Sequence, residues 1–360
     1  LGDGSGGVIV VEGESGLGKS RLLQEALSRA GVEPDLALRG EPYGANSPYR
    51  ALRDPVRRLL GIERDEPAAM AAALEQAVTA IDADLAPMLG LLSPVVQIPI
   101  EPSPEVQAID PQYRPERTAA LIMQLIEKAH PGPRVFFVDD AHWVDDASAQ
   151  LLSQIAAAST QQPWLVLAAR RAAESGFDPA EADRITLSPL DDESLRSLVM
   201  VATEAAPLRP HELDQVVQRA GGNPLFATEI IKTAREVGSL EAVPLSLEAA
   251  MSAQVDALDP DSRRVLRYAS VLGRSFSRGV LEAIMATEGH HLTDASLALL
   301  APFLDADGAQ RLRFRSGIVR DTTYEAVAYR LRSRLHRAAG ETMERLADDP
   351  ASAADSLALH

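Results

Sequence analysis

Cysteine is absent from this chain of 360 residues, which excludes disulfides and thiolate metal centres and suits the cytosol. Histidine is sparse: the seven are scattered, and the adjacent pair His290-His291 lacks helical ligand spacing, so no histidine-based metal centre is expected. No stretch approaches the ~20 apolar residues needed to cross a bilayer, so no membrane partner is expected. The amino end is Gly-rich and acidic, without the basic lead or apolar segment of a signal peptide. An excess of basic charge is also missing. A net charge of −17 argues against a nucleic-acid surface, because neutralising phosphates requires clustered Lys and Arg. Arg311, Arg313, Arg315, Arg320, Arg330, Arg332, Arg334 and Arg337 do gather near the carboxyl end. They form either a local basic patch or, as their spacing favours, the solvated face of a helix. No regular period marks a repeat array.

What is present is an ordinary globular composition, 46% hydrophobic, on a chain too long for one core; two or three domains are expected. Residue 1 is Leu and the chain stops inside the helical pattern Ser356-Leu357-Ala358-Leu359-His360, so we read it as an internal piece of a longer protein. Strand-like runs occur at 7–12, 35–39, 134–139, 164–169 and 184–187, with helical periodicity between most of them. That alternation is the signature of a parallel sheet covered by helices. About 95 residues separate the second and third strands, with helical patterns at 48–60, 67–81 and 115–130 and a proline-rich, irregular stretch at 92–115. The fold expected for 1–190 is therefore an α/β domain, a parallel sheet covered by helices, carrying a helical insertion at about 41–130.

Beyond Leu190 the strands stop. Helices are expected at 191–205, 210–220 and 224–237, making a helical lid over 191–243. A fresh start at Ser246 opens helices at 247–258, 260–272, 277–287 and 294–303, then the alternating run Arg311–Arg315 around Leu312 and Phe314, then a helix from about Ile318. Helices followed by a short hairpin suggest a winged helix over 244–332. Residues 333–360 begin a further, truncated helical region.

The most informative string is Gly13-Glu14-Ser15-Gly16-Leu17-Gly18-Lys19-Ser20, which fits G-x-x-x-x-G-K-[ST] at every position. It follows the apolar run Val8-Ile9-Val10-Val11 and precedes a helical pattern opening with Arg21, the context the motif requires. Glycines let successive backbone N–H groups face one phosphate chain at the positive end of the next helix. Lys19 would reach the β- and γ-phosphates and the Ser20 hydroxyl would bind Mg²⁺. Residues Gly13 to Arg21 are thus the expected nucleotide contacts; the bland reading is a Gly-rich turn with no ligand. The run Arg134-Val135-Phe136-Phe137-Val138-Asp139-Asp140 carries two acids to the carboxyl edge of the sheet, where open α/β folds bind ligands. Asp139 would hold Mg²⁺ beside Ser20, and Asp140 would act as general base or position the attacking water. Alone, that run could equally be a strand capped by solvated acids.

Arg170 ends Leu165-Val166-Leu167-Ala168-Ala169, where a cation can sense the γ-phosphate; Arg171 is adjacent and could substitute. No arginine finger from a partner can be named, and such a finger is worth ~10³–10⁵ in rate, so slow hydrolysis is expected. Gly221-Gly222-Asn223-Pro224-Leu225-Phe226 is a turn and helix start, with Pro near the first helical position. The functional reading adds contact of Asn223 and Pro224 with adenine or ribose.

Taken in order, GESGLGKSRLL, VFFVDDAHWVDDASAQLL, LAARR, LSPLDDESLRSLV and GGNPLFATEI resemble the signal-transduction ATPases with numerous domains, the STAND class. The branch resembled fuses this ATPase to adenylate/guanylate cyclase domains or to a LuxR-type DNA-binding domain. The run from Glu41-Pro42-Tyr43 through Ser47-Pro48-Tyr49 and the stretch VPLSLEAAMSAQVDALDPDSRRVLRYASVLGRSFSRGVLEAI are similar to the same branch. The resemblance implies ATP and ADP as ligands with Mg²⁺, and a switch that ADP closes and ATP opens, often towards a homo-oligomer. It also implies cyclase, DNA-binding or helical-repeat domains on the same polypeptide, and a winged helix that packs on neighbours instead of binding DNA. His142 and Trp143 then shape the site without acting in catalysis, and Asp145 caps the next helix. Ser316 stands where the family has His, which predicts looser ADP retention. Three functions follow: a cyclase-linked regulatory ATPase, the ATPase core of a LuxR-type regulator, or a small-molecule kinase sharing the loop.

Overall fold

The inner strands of the first unit send alternate side chains to the two faces of the sheet. Strand β1 is Gly7–Glu12, followed by helix α1 (Lys19–Ala30), β2 (Leu36–Arg39), α2 (Arg50–Leu59), α3 (Pro67–Ile81), α4 (Ser93–Val96), α5 (Pro104–Gln107) and α6 (Arg114–Ala129). Then come β3 (Arg134–Asp139), α7 (Asp146–Ala158), β4 (Trp164–Arg170) and β5 (Asp183–Thr186). The computed structural model describes residues 6–41, 48–62, 67–129, 132–172, 175–237, 247–308, 310–315 and 317–346. The expectations attached to 42–47, His130, Ser246, Ser316 and both chain ends lie outside the described residues.

The five strands form one parallel sheet in the order β2-β3-β4-β1-β5. β3 is buried along its whole length, which is why its sequence reads as a continuous apolar run. On one face Val11, Val135, Phe137, Leu167 and Ala169 pack with Leu23 and Leu27 of α1. On the other, Val10, Phe136, Val138 and Val166 share a core with Leu52, Leu74, Leu92, Ile122 and Leu151. The insertion helices therefore complete one layer of the sheet's own core. The stretch expected to be irregular holds short helical pieces instead: α4, α5 and a 3₁₀ turn at Pro111–Tyr113. Ser103 and Asp110 cap two of these pieces, locally paired turns that no long periodicity announces.

A second compact unit gathers Gly16–Gly18 with the chain from Ser188 onward. It holds α8 (Asp192–Ala202), α9 (Pro210–Ala220), α10 (Pro224–Val237), α11 (Leu247–Asp256), α12 (Pro260–Val271), β6 (Ser275–Ser277) and α13 (Arg278–Thr287). The unit continues with α14 (Asp294–Leu299), β7 (Leu304–Ala306), β8 (Arg311–Phe314), α15 (Gly317–Glu325) and α16 (Tyr329–Leu346). One core runs across the boundary expected at 243, joining Leu195, Val217 and Ile230 to Val255, Leu266, Leu281 and Leu335. Strands β6, β8 and β7 form a small antiparallel sheet. β6 and β7 have three residues each, too few to show alternation in sequence. α14 ends at Leu299 rather than 303, because Pro302 disfavours helical geometry at the residue before it. No described helix is long and apolar enough to cross a membrane.

Candidate functional site

Parallel pairing puts the carboxyl ends of all five strands at one edge, and the chemistry collects there. β1 runs into the Gly13–Ser20 loop, and α1 begins at Lys19. Gly18 has φ +90, a backbone state L side chains rarely adopt, so glycine is required at this bend. Lys19 is buried, and its ammonium donates to the carbonyls of Gly13 and Glu14, both at 2.8 Å. Burial lowers its pKa, as does the charge of Arg171; Asp140 and Asp139 oppose the shift. From the far side of β4, Asp139 reaches the loop: its Oδ1 accepts from Ser20 Oγ at 2.5 Å and from the Asp140 N–H at 3.1 Å. Two segments 119 residues apart thus meet through a hydroxyl and a carboxylate.

Arg39, which sequence reasoning missed, stands opposite Asp139 in the β2–β3 register. Its Nη2 lies 2.5 Å from Asp139 Oδ2 and its Nε donates to Asp140 Oδ2 at 3.1 Å. Nothing in the sequence around 39 marks a partner a hundred positions away; only the pairing of β2 with β3 does. Asp140 sits at φ 49, ψ 43, turning the chain into the 3₁₀ segment Ala141–Trp143.

Arg170, expected to sense the γ-phosphate, turns its side chain into the protein. Its side chain is 1% exposed, paired with Asp178 at 2.5 Å and Glu12 at 3.8 Å, and it donates to Phe177 O. The last strand residue points into the protein because Asp178, in the chain leading to β5, supplies a carboxylate there. Arg171 points to the loop instead, donating to Ser15 Oγ at 3.2 Å.

Asp145 caps α7 as expected, accepting from the Ser148 N–H at 2.9 Å. It does more: the backbone N–H groups of Tyr49 (2.8 Å) and Ala51 (3.2 Å) also donate to it, so one carboxylate caps α7 and the start of α2. His142 is buried, and its Nδ1 accepts the Arg171 N–H at 3.3 Å, which places the neutral ring's proton on Nε2. Burial pushes its pKa down to about 4. The unfolded ring protonates near 6.5, so between pH 6.5 and about 4 protons bind the unfolded chain preferentially. Stability then falls as pH drops through this window, by up to about 1.4 kcal/mol per unit. We expect His142→Asn to flatten that part of the pH–stability curve, measured by urea denaturation against wild type.

Asn223 and Pro224 lie in the second unit with Gly16. The Leu225 N–H donates to Gly16 O at 3.3 Å, and a Cβ on Gly16 would meet Asn223 Oδ1 at 2.5 Å. Asn223 Oδ1 also caps α10 through the Phe226 N–H at 3.1 Å, and Pro224 occupies the first helical position.

The family model for the AAA ATPase domain matches residues 1–167, which contain the loop, Arg39 and both acids. Residues 1–167 are thus similar to AAA-type ATPase domains. The parallel sheet covered by helices is the fold of a P-loop NTPase. A STAND protein with a tetratricopeptide repeat sensor from Pyrococcus horikoshii superposes with a TM-score of 0.55 at 13% identity, over 98% of this chain and 45% of that one. An uncharacterized protein of Rhizobium meliloti (strain 1021) is 27% identical over 362 residues, covering 93% of this chain. The chain spans 34% of that relative's length. The match to an ATPase domain model implies a nucleotide ligand. The residues present fit such a ligand: a buried lysine at a glycine loop suits phosphate oxygens, and Ser20 with Asp139 is an oxygen-only set of the kind Mg²⁺ takes.

Proposed function

We propose that this chain is the ATP-binding, slowly hydrolysing switch module of a larger, cyclase-linked signalling protein. The observation that carries the reading is the Ser20–Asp139 pair, which joins the glycine loop to the acid strand at one sheet edge. Lys19 would hold the β- and γ-phosphate oxygens, exchanging bonds to the neutral carbonyls of Gly13 and Glu14 for bonds to anionic oxygens. Ser20 and Asp139 hold Mg²⁺, which when bound neutralises charge on the phosphates. Asp140 orients the attacking water, and Arg171 offsets charge at the γ-phosphate in place of Arg170. Helices α8–α10 are read as the lid and α11–α15 with the small sheet as a winged helix. Asn223 and Pro224 are kept in this reading as the expected adenine or ribose contacts.

The test is to mix the purified chain with ATP, Mg²⁺ and candidate acceptors and follow both ADP and phosphate. The switch reading expects bound nucleotide and stoichiometric ADP and free phosphate at well under one turnover per second. Phosphate transferred to an acceptor in place of free phosphate would replace it with the kinase reading.

A further inference from the structure

We propose that Arg39 is a positioning residue that competes with Mg²⁺ for the acid pair, and so sets the metal concentration at which the site loads. The inference rests on the nucleotide reading above. Both acids are engaged by one guanidinium, Asp139 through Nη2 and Asp140 through Nε. Arg39 thus occupies the second oxygen of the carboxylate whose first oxygen takes Ser20. A divalent ion arriving at Asp139 and Ser20 meets a cation already seated on the same carboxylate, and the two repel. Arg39 is 31% exposed at the side chain while Asp139 is 6%, so the guanidinium can swing out to water and the carboxylate cannot follow.

The backbone holds Arg39 in this position. The Gly40 N–H donates to Asp139 O at 2.9 Å, and a Cβ on Gly40 would meet Trp143 C at 2.7 Å, so the end of β2 is pressed against the acid turn. Immediately after it, Glu41 pairs with Arg50 of α2 at 2.8 Å. α2 is in turn tied to Asp145 through Tyr49 and Ala51. The helical insertion thus grips both sides of the acid turn, and a shift of α2 would move Arg39 with respect to the metal ligands.

The experiment titrates Mg²⁺ against a fluorescent N-methylanthraniloyl ATP on wild type, Arg39→Gln and Arg39→Lys, with EDTA as the metal-free baseline. Manganese binding followed by electron paramagnetic resonance gives a second readout free of turnover. For Arg39→Gln we expect metal-free affinity within about twofold of wild type, and half-saturating Mg²⁺ and Mn²⁺ lower by roughly three- to tenfold, the range of a half-exposed ion pair. Arg39→Lys, keeping the charge without the fork, should fall between the two; it carries the same test should the glutamine variant not fold. An unchanged or raised metal midpoint, with normal nucleotide binding, overturns the role of Arg39 alone. Failure of wild type to bind the nucleotide with or without Mg²⁺ overturns the nucleotide reading, and this inference with it.

Discussion

Lys19→Met should lower ATP affinity by at least about 100-fold, a loss of about 2.7 kcal/mol, while leaving the fold as stable as wild type or slightly more so. The two halves of that expectation have separate causes. On the proposed reading Lys19 supplies the ammonium to the phosphates, and each charge-assisted bond is worth about 1.5–3 kcal/mol. Yet its ammonium is buried against two carbonyls, and burial lowers its pKa. Replacing it with a thioether of similar length removes that desolvation cost. Isothermal calorimetry reads the first half and thermal melting the second. A variant that binds ATP normally would end the proposal for the loop. A variant that loses binding only because it unfolds would be seen in the melt.

Arg170→Ala and Arg171→Ala should fail in opposite ways. Removing Arg170 leaves Glu12 and Asp178 without the buried guanidinium that sits between them. Breaking such a pair from one side costs about 3 kcal/mol, or about 6–12 °C in the melting of a unit this size. Arg184 also pairs with Asp178 and Glu12, and it moderates the loss. Removing Arg171 deletes a partly exposed bond to Ser15, so melting should move by less than about 2 °C. Its effect should fall on nucleotide instead: weaker discrimination of ATP from ADP in a competition titration. If Arg171→Ala leaves that discrimination intact while Arg170→Ala alone alters it in a folded protein, the assignment reverses.

The bounds of the sheet were legible to within a residue or two at every strand. Val135-Phe136-Phe137-Val138 and Val8-Ile9-Val10-Val11 are apolar runs bounded by turn residues, and buried parallel strands leave that mark. Helices α9 and α10 were readable because a proline opens each and Gly221 closes the first. β6 and β7 were not readable, since three residues carry no period. The glycine loop and the acid pair were visible as chemistry in sequence; the direction of each side chain was not. Arg170 and Arg171 differ by one position, and alternation along a strand sends consecutive side chains to opposite sides. Which of them faces the loop depends on Asp178, a residue with no sequence signal of its own.

The residues along the chain settled the local elements, the identity of the loop and the carboxylates available to it, because φ restrictions, periodicity and turn chemistry act within a few positions. Tertiary structure alone settled which cation pairs with the acids, which arginine meets the loop and which carboxylate caps two helices at once. Those outcomes depend on pairings such as Arg39 with Asp139 and Asp145 with Tyr49, roughly a hundred positions apart. Strand order brings such residues together, and no local interaction along the chain encodes it.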